Sequence, residues 1–111
     1  MRLLITSGIF PPEIGGPATY VESFARWASA KGHRVTVAAA LGSEPLGDHP
    51  FRLRRIPKKS GTAGWHVGAF RRIFSEAKDV DVVYANGLFL ESSIAARLRR
   101  KKIVFNARFS L

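Results

Sequence analysis

Ser7-Gly8-Ile9-Phe10-Pro11-Pro12-Glu13-Ile14-Gly15-Gly16-Pro17-Ala18-Thr19-Tyr20 joins an apolar strand to an amphipathic helix through a Gly-Gly pair. Before it, Arg2-Leu3-Leu4-Ile5-Thr6 is a short apolar run of the kind that forms a strand buried on both faces. After it, Val21, Phe24, Ala25 and Ala28 recur at helical spacing, and Gly32 supplies the C-terminal stop. Pro17 suits the first helical position because it has no N–H to leave unsatisfied, which makes Gly16 the expected N-cap. Two residues without side chains let a ligand approach the backbone, and a helix start carries roughly half a positive charge. A phosphate or sulfate is the natural guest. A plain strand-to-helix turn that needs glycine geometry accounts for the same pair.

The chain has 111 residues, which fits one domain with a modest core and leaves no room for a second. It holds no cysteine, so a disulfide frame and a thiolate metal site are both excluded. His33, His49 and His66 show no ligand spacing, so neither a metal nor a cofactor is expected. The first residues enter a strand directly, with no apolar stretch of signal-peptide or membrane-spanning length. A soluble protein in a reducing, cytoplasmic setting is expected.

With 18 Lys and Arg against 8 Asp and Glu, the net charge is +10, enough to draw the chain to polyanions. No acid occurs between Phe51 and Ser75, a segment that carries Arg52, Arg54, Arg55, Lys58, Lys59, Arg71 and Arg72. A second cluster comprises Arg97, Arg99, Arg100, Lys101 and Lys102. Nucleic acid, anionic lipid or a phosphorylated substrate would each answer such charge, and so would water on a solvated face.

Past Gly32, His33 to Ala40 is an apolar run that reads as a second strand, and strand, helix, strand makes a right-handed parallel βαβ unit. Leu41 to Pro50 is a loop by its Gly and Pro content. Phe51 to Ile56 alternates as an edge strand does, with outward Arg discouraging further pairing. After a loop from Pro57 to Gly64, a helix from Trp65 places Val67, Phe70, Ile73, Phe74 and Ala77 on one face. Val80 to Asn86 is the next strand, ending at Gly87; Leu90, Ile94, Ala95 and Leu98 mark a third helix; Ile103-Val104-Phe105 opens a last strand. Such alternation predicts a Rossmann-like, doubly wound parallel sheet in three α/β/α layers. With strand order 3-2-1-4-5, the switch point sets the Gly15-Gly16 loop beside Asn86-Gly87, where ligands of such sheets bind.

Several activities are argued against by what is missing. No G-x-G-x-x-G follows the first strand, and no acid ends the second, so a nicotinamide dehydrogenase does not fit. G-x-x-x-x-G-K-[ST] and G-x-S-x-G are absent too.

The Phe10-Pro11-Pro12-Glu13-Ile14-Gly15-Gly16 loop, followed by Ala30-Lys31-Gly32-His33-Arg34-Val35-Thr36-Val37, resembles the N-terminal domain of group 1 (family 4) retaining glycosyltransferases of the GT-B fold. Asp79 to Gly87 is similar to that family's D-V-V-H-A-H-G, and Ala95 to Phe105 to its A-x-x-x-x-K-P-x-V. Tyr84 and Asn86 stand where members often carry His, and Asn106-Ala107-Arg108 stands where many have T-x-H. The resemblance implies one N-terminal Rossmann-like domain over residues 1–111, incomplete beside two-domain members and without their E-x7-E domain. It further implies that Gly15 and Gly16 donate N–H bonds to the diphosphate of a nucleotide-sugar donor, a substrate rather than a cofactor. Glu13, Asn86, Gly87 and Arg108 would line the acceptor pocket. A donor-binding domain or partner chain would be needed for turnover, whether the chain is a fragment, a truncated product or half of a two-chain enzyme.

The resemblance also suggests a lipid-linked acceptor. Arg52, Arg54, Arg55, Lys58, Lys59, Trp65, Arg71 and Arg72 would then form an anionic-membrane surface at the inner face of the membrane. A non-catalytic basic module that docks on anionic membrane or another polyanion is the competing reading. Nucleic acid ranks last, since no RNA-binding signature occurs and Phe70 and Phe74 sit at core spacing.

Overall fold

In the strand Arg2–Ser7 (β1), every residue after Arg2 is buried, so this segment is sealed on both faces. The computed structural model describes residues 1–7, 16–41, 49–57 and 62–105. The remaining elements follow as the helix Gly16–Ala30 (α1), strands Arg34–Leu41 (β2) and Arg52–Pro57 (β3), the helix Thr62–Ala77 (α2), the strand Val82–Ala85 (β4), the helix Phe89–Leu98 (α3) and the strand Lys102–Phe105 (β5). All pairings are parallel and the order is β3-β2-β1-β4-β5, the doubly wound arrangement expected.

Alternation along the strands sends their side chains into two cores. Leu3, Ile5, Val35, Val37 and Phe51 pack with Val21, Ala25 and Ala28 of α1. Leu4, Ala38, Ile56 and Val83 pack on the other face with Ala69, Ile73 and Ala77 of α2 and Ala95 and Ala96 of α3. The protein is therefore three-layered, with α1 alone on one side. At the sheet's N-terminal edge, the Arg2 amide and guanidinium bond Asp81 at 2.8 and 3.2 Å, and the Asp81 amide returns to the Arg2 carbonyl at 2.8 Å. The Arg2 amide, then its guanidinium, hold the Asp81 carboxyl below its ordinary 3.8. This clamp between β1 and β4 is thus complete above that value and is lost as pH falls through the lowered one.

Two helix faces differ from the sequence expectation. Val67 is 58% exposed, because the buried stripe of α2 runs through Ala69, Ile73 and Ala77, with Trp65, Phe70 and Phe74 half-buried beside it. In α3, Leu90 and Leu98 are 69% and 62% exposed and Ile94 is exposed as well, while Glu91, Ser92, Ala95 and Ala96 face inward. Small side chains let this short helix lie close to the sheet, and Ser92 is accommodated because its hydroxyl finds a partner there.

α1 and α3 end in the same way with different residues. In α1 the Gly32 amide bonds Ser29 O and the His33 amide bonds Ala28 O, with Gly32 at φ 93°. In α3 the Arg100 amide bonds Arg97 O and the Lys101 amide bonds Ala96 O, with Arg100 at φ 57°. Both are Schellman turns, but only the first has the residue for which a left-handed backbone is free of cost. Arg100→Gly should accordingly raise stability by about 1 kcal/mol in denaturant melts, and Gly32→Ala should lower it by a similar amount.

Candidate functional site

Three helices open over the C-terminal edge of the sheet, and the reversal between α1 and α3 lies there, above β1 and β4. α1 begins at Gly16, one residue earlier than its expected role as N-cap, so its backbone belongs to the helix's first turn. Gly15 and Glu13 lie outside the described residues, as do Arg108, Lys58 and Lys59. On the β4 side, the Asn86 amide bonds the Thr6 carbonyl at 2.9 Å, carrying the β1–β4 ladder one step past the strand. Asn86 and Gly87, both half-buried, thus sit next to the end of β1, as expected for the switch point.

A buried hydroxyl network fixes this corner. Thr6 is fully buried; its Oγ1 donates to the Gly87 carbonyl at 3.2 Å and lies 2.8 Å from Ser92 Oγ. A hydroxyl has one hydrogen to give, so the Ser92 hydroxyl donates to Thr6. Leu88, between Gly87 and α3, takes a left-handed conformation at φ 52° and ψ 44° and offers no side-chain cap. Such backbone persists where the surroundings over-determine it, and here the Thr6–Gly87 and Thr6–Ser92 bonds bracket it on both sides. Tyr84, where the resemblance led one to look for His, turns onto the α1 face; its hydroxyl is 2.9 Å from that of Tyr20, and Phe24 lies against its ring at 4.9 Å.

The cations expected on one surface are divided. Arg55 shares its strand face with Leu53 and so lies on the α1 side, whereas Arg52 and Arg54 share theirs with Ile56, on the α2 side. Arg54 Nε bonds Glu76 Oε1 at 3.2 Å, which offsets its charge locally. Trp65 is half-buried against the α2–α3 core. Arg52, Arg71 and Arg72 are exposed. From the second cluster, the Arg99 guanidinium lies 3.8 Å above the Phe74 ring and its Nε donates to the Phe74 carbonyl at 3.1 Å, a structural use of that charge.

A cavity of about 470 Å³ opens at the opposite, N-terminal edge, lined in part by Arg34, Arg52, Glu76 and Asp79. It mixes both signs of charge and lies away from the strand ends that carry ligands in doubly wound sheets. Among the described residues, no three His, Cys, Asp or Glu side chains gather as a metal site requires, and no helix is long and apolar enough to cross a membrane.

The sequence model described as Glycosyltransferase Family 4 matches residues 14–109, most of the chain. The chain belongs to glycosyltransferase family 4. Its fold is similar to that of Anabaena HepE, solved in complex with UDP and glucose, at a TM-score of 0.70 and 18% identity, covering 93% of this chain and 28% of that one. MurG of Acinetobacter baumannii aligns at a TM-score of 0.66 and 17% identity, covering 99% of this chain and 36% of its own. The family 4 chain thus spans 28% and 36% of those two chains and has the N-terminal Rossmann-like fold of GT-B proteins. The C-terminal domain of a Pyrococcus furiosus hydrogenase also aligns, at 0.61 and 11% identity over 95% of this chain and 90% of that one, so the fold is not confined to sugar transfer. No curated protein matches the chain.

Sequence reasoning missed Thr6, Ser92, Glu91 and His66 at this edge. The first two were legible only as polar residues inside apolar runs, and the last two are 25 positions apart. If the hydroxyl network holds the corner, Ser92→Ala should cost about 1–3 kcal/mol by leaving Thr6 short of a partner. Combined with Thr6→Val, the loss in thermal or urea unfolding should be clearly smaller than the sum of the two single losses.

Proposed function

We propose that this chain is the acceptor-side domain of a retaining glycosyltransferase that moves a sugar from a nucleotide-sugar donor to an acceptor. The family match carries the reading, because it begins just ahead of α1 and takes in the end of β4 at the switch point. HepE, whose fold is similar, was solved with UDP and glucose, which supports a nucleoside diphosphate and a hexose as the ligand classes. In this reading the amides of Gly15 and Gly16, at the start of α1, receive the donor diphosphate. Charge grows on the leaving diphosphate as the sugar departs, and backbone donors already in place stabilise it without reorganising. Asn86 and Gly87, with Glu13 and Arg108, line the acceptor side.

A donor-binding domain or partner chain completes the cleft, since orientation of donor and acceptor alone is worth roughly 7–11 kcal/mol of barrier. For a lipid-linked acceptor at the cytoplasmic face, the exposed Arg52, Arg71 and Arg72 supply the cations that meet anionic lipid. Packing of Ile73, Phe70 and Phe74 into the core leaves peripheral, salt-sensitive contact as the mode of binding.

Assembled with a donor-binding domain, the Gly16→Val chain should bind UDP-glucose about tenfold more weakly by calorimetry, with its fold retained. Unchanged affinity would return the Gly-Gly pair to turn geometry. On vesicles, the chain should sediment with anionic lipid at low salt and lose this with Arg71→Glu and Arg72→Glu together. Equal sedimentation with neutral vesicles would reject the membrane surface.

A further inference from the structure

One pair of ionisable side chains at the C-terminal edge is arranged as packing alone does not require. His66, in the second turn of α2, and Glu91, in the first turn of α3, meet across the two helix starts, with His66 Nδ1 2.5 Å from Glu91 Oε1. The carboxylate is 7% exposed and the imidazole 52%. A carboxylate can only accept, so Nδ1 carries the hydrogen, and in the neutral ring Nε2 is left with a lone pair. Among the described residues no hydrogen bond reaches Nε2. A buried carboxylate behind an exposed imidazole fixes both the tautomer and the ring plane.

The pair is tied to the candidate site through its neighbours. Glu91 directly precedes Ser92, whose hydroxyl holds Thr6, which in turn holds the Gly87 carbonyl. The start of α1 presents N–H donors, suited to phosphate, and the chain carries a net charge of +10. A sugar ring offers hydroxyl hydrogens as well as oxygens, so a crevice that holds one needs neutral acceptors among its many donors. Tying two helix starts together would need only a cation on Glu91, with no lone pair turned outward.

We propose that His66, oriented by Glu91, reads a ring hydroxyl of the acceptor sugar, with Nε2 accepting its hydrogen bond. This rests on the glycosyltransferase reading above and adds a residue to it on the α2 side of the crevice. Diethyl pyrocarbonate, which acylates the unprotonated nitrogen of imidazole, tests it on the chain itself, with peptide mass spectrometry following His33, His49 and His66 separately.

The oriented ring should react about fivefold faster than the other two, and millimolar glucose or N-acetylglucosamine should slow His66 alone by roughly threefold. Glu91→Leu, which fills the space but accepts no hydrogen bond, should remove the rate advantage and the protection. Should that variant fail to fold, His66→Gln replaces it, with hexose binding followed by saturation-transfer NMR and expected to disappear. Equal rates at the three histidines, an unchanged rate in Glu91→Leu, absence of protection by either hexose, or undiminished hexose binding by His66→Gln would overturn the proposal. UDP-glucose binding that responds to Gly16→Val does not involve His66. Its survival alongside a failed protection assay rejects His66 alone, whereas loss of both rejects the glycosyltransferase reading.

Discussion

A parallel strand cannot reach its neighbour through a tight turn, so each step along this sheet needs a crossing over one face. That requirement organises the whole molecule. Right-handed crossings that run one way from β1 lie on the α1 side, and those that run the other way lie on the α2–α3 side. Pro50 and Phe51, which lead into β3, lie on the first side, where Ser29 Oγ of α1 holds the Pro50 carbonyl at 2.9 Å and Phe51 packs in the α1 core. β1 is the pivot: its partners are β2 on one edge and β4 on the other, in continuous register over Arg2 to Ser7 and Leu3 to Thr6. A gap between oppositely placed helices is the geometric by-product, and the candidate site occupies it.

Polar groups at this gap behave differently from those elsewhere on the protein. Thr6, Ser92 and Glu91 are buried, yet each has a hydrogen-bond partner, so burial costs less than it would for an unpaired group. Their bonds fix the Gly87–Leu88 backbone and the start of α3 relative to β1. A corner built from hydroxyls and one carboxylate is more directional than one built from methyl groups, because hydrogen bonds specify angles as well as distances. Precision of that sort suits a place where a ligand meets backbone.

Most of the architecture was legible because it rests on patterns of one dimension. Leu3, Leu4 and Ile5 form a run with no polar break, Gly32 marks a left-handed stop, and each strand is bounded by glycine, proline or charge. The face of α3 was not legible. Leu90, Ile94 and Leu98 define a stripe at helical spacing, but spacing locates a face without saying which way it turns, and the sheet took the small residues Ser92, Ala95 and Ala96 instead. Val67 was misplaced for a related reason, since α2 commits a narrow line of Ala69, Ile73 and Ala77 to the core. At the site, the glycine loop and Asn86-Gly87 could be anticipated from strand ends. The His66–Glu91 pair could not, because it joins the starts of two helices and depends on how both are rotated.

The pivot position of β1 also has a consequence in time. Its residues are made before those of both its partners, and one of these, β4, begins only at Val82. At about 5–20 residues per second, roughly 2 to 10 seconds separate the synthesis of β2 from that of β4. Until α2 is complete at Ala77, Leu4, which packs against α2 and α3, has no helix over its own face. The nascent chain therefore carries its central, buried strand half-finished, and the helper most relevant to its yield is a chaperone that shields that strand until α2 and Val83 arrive.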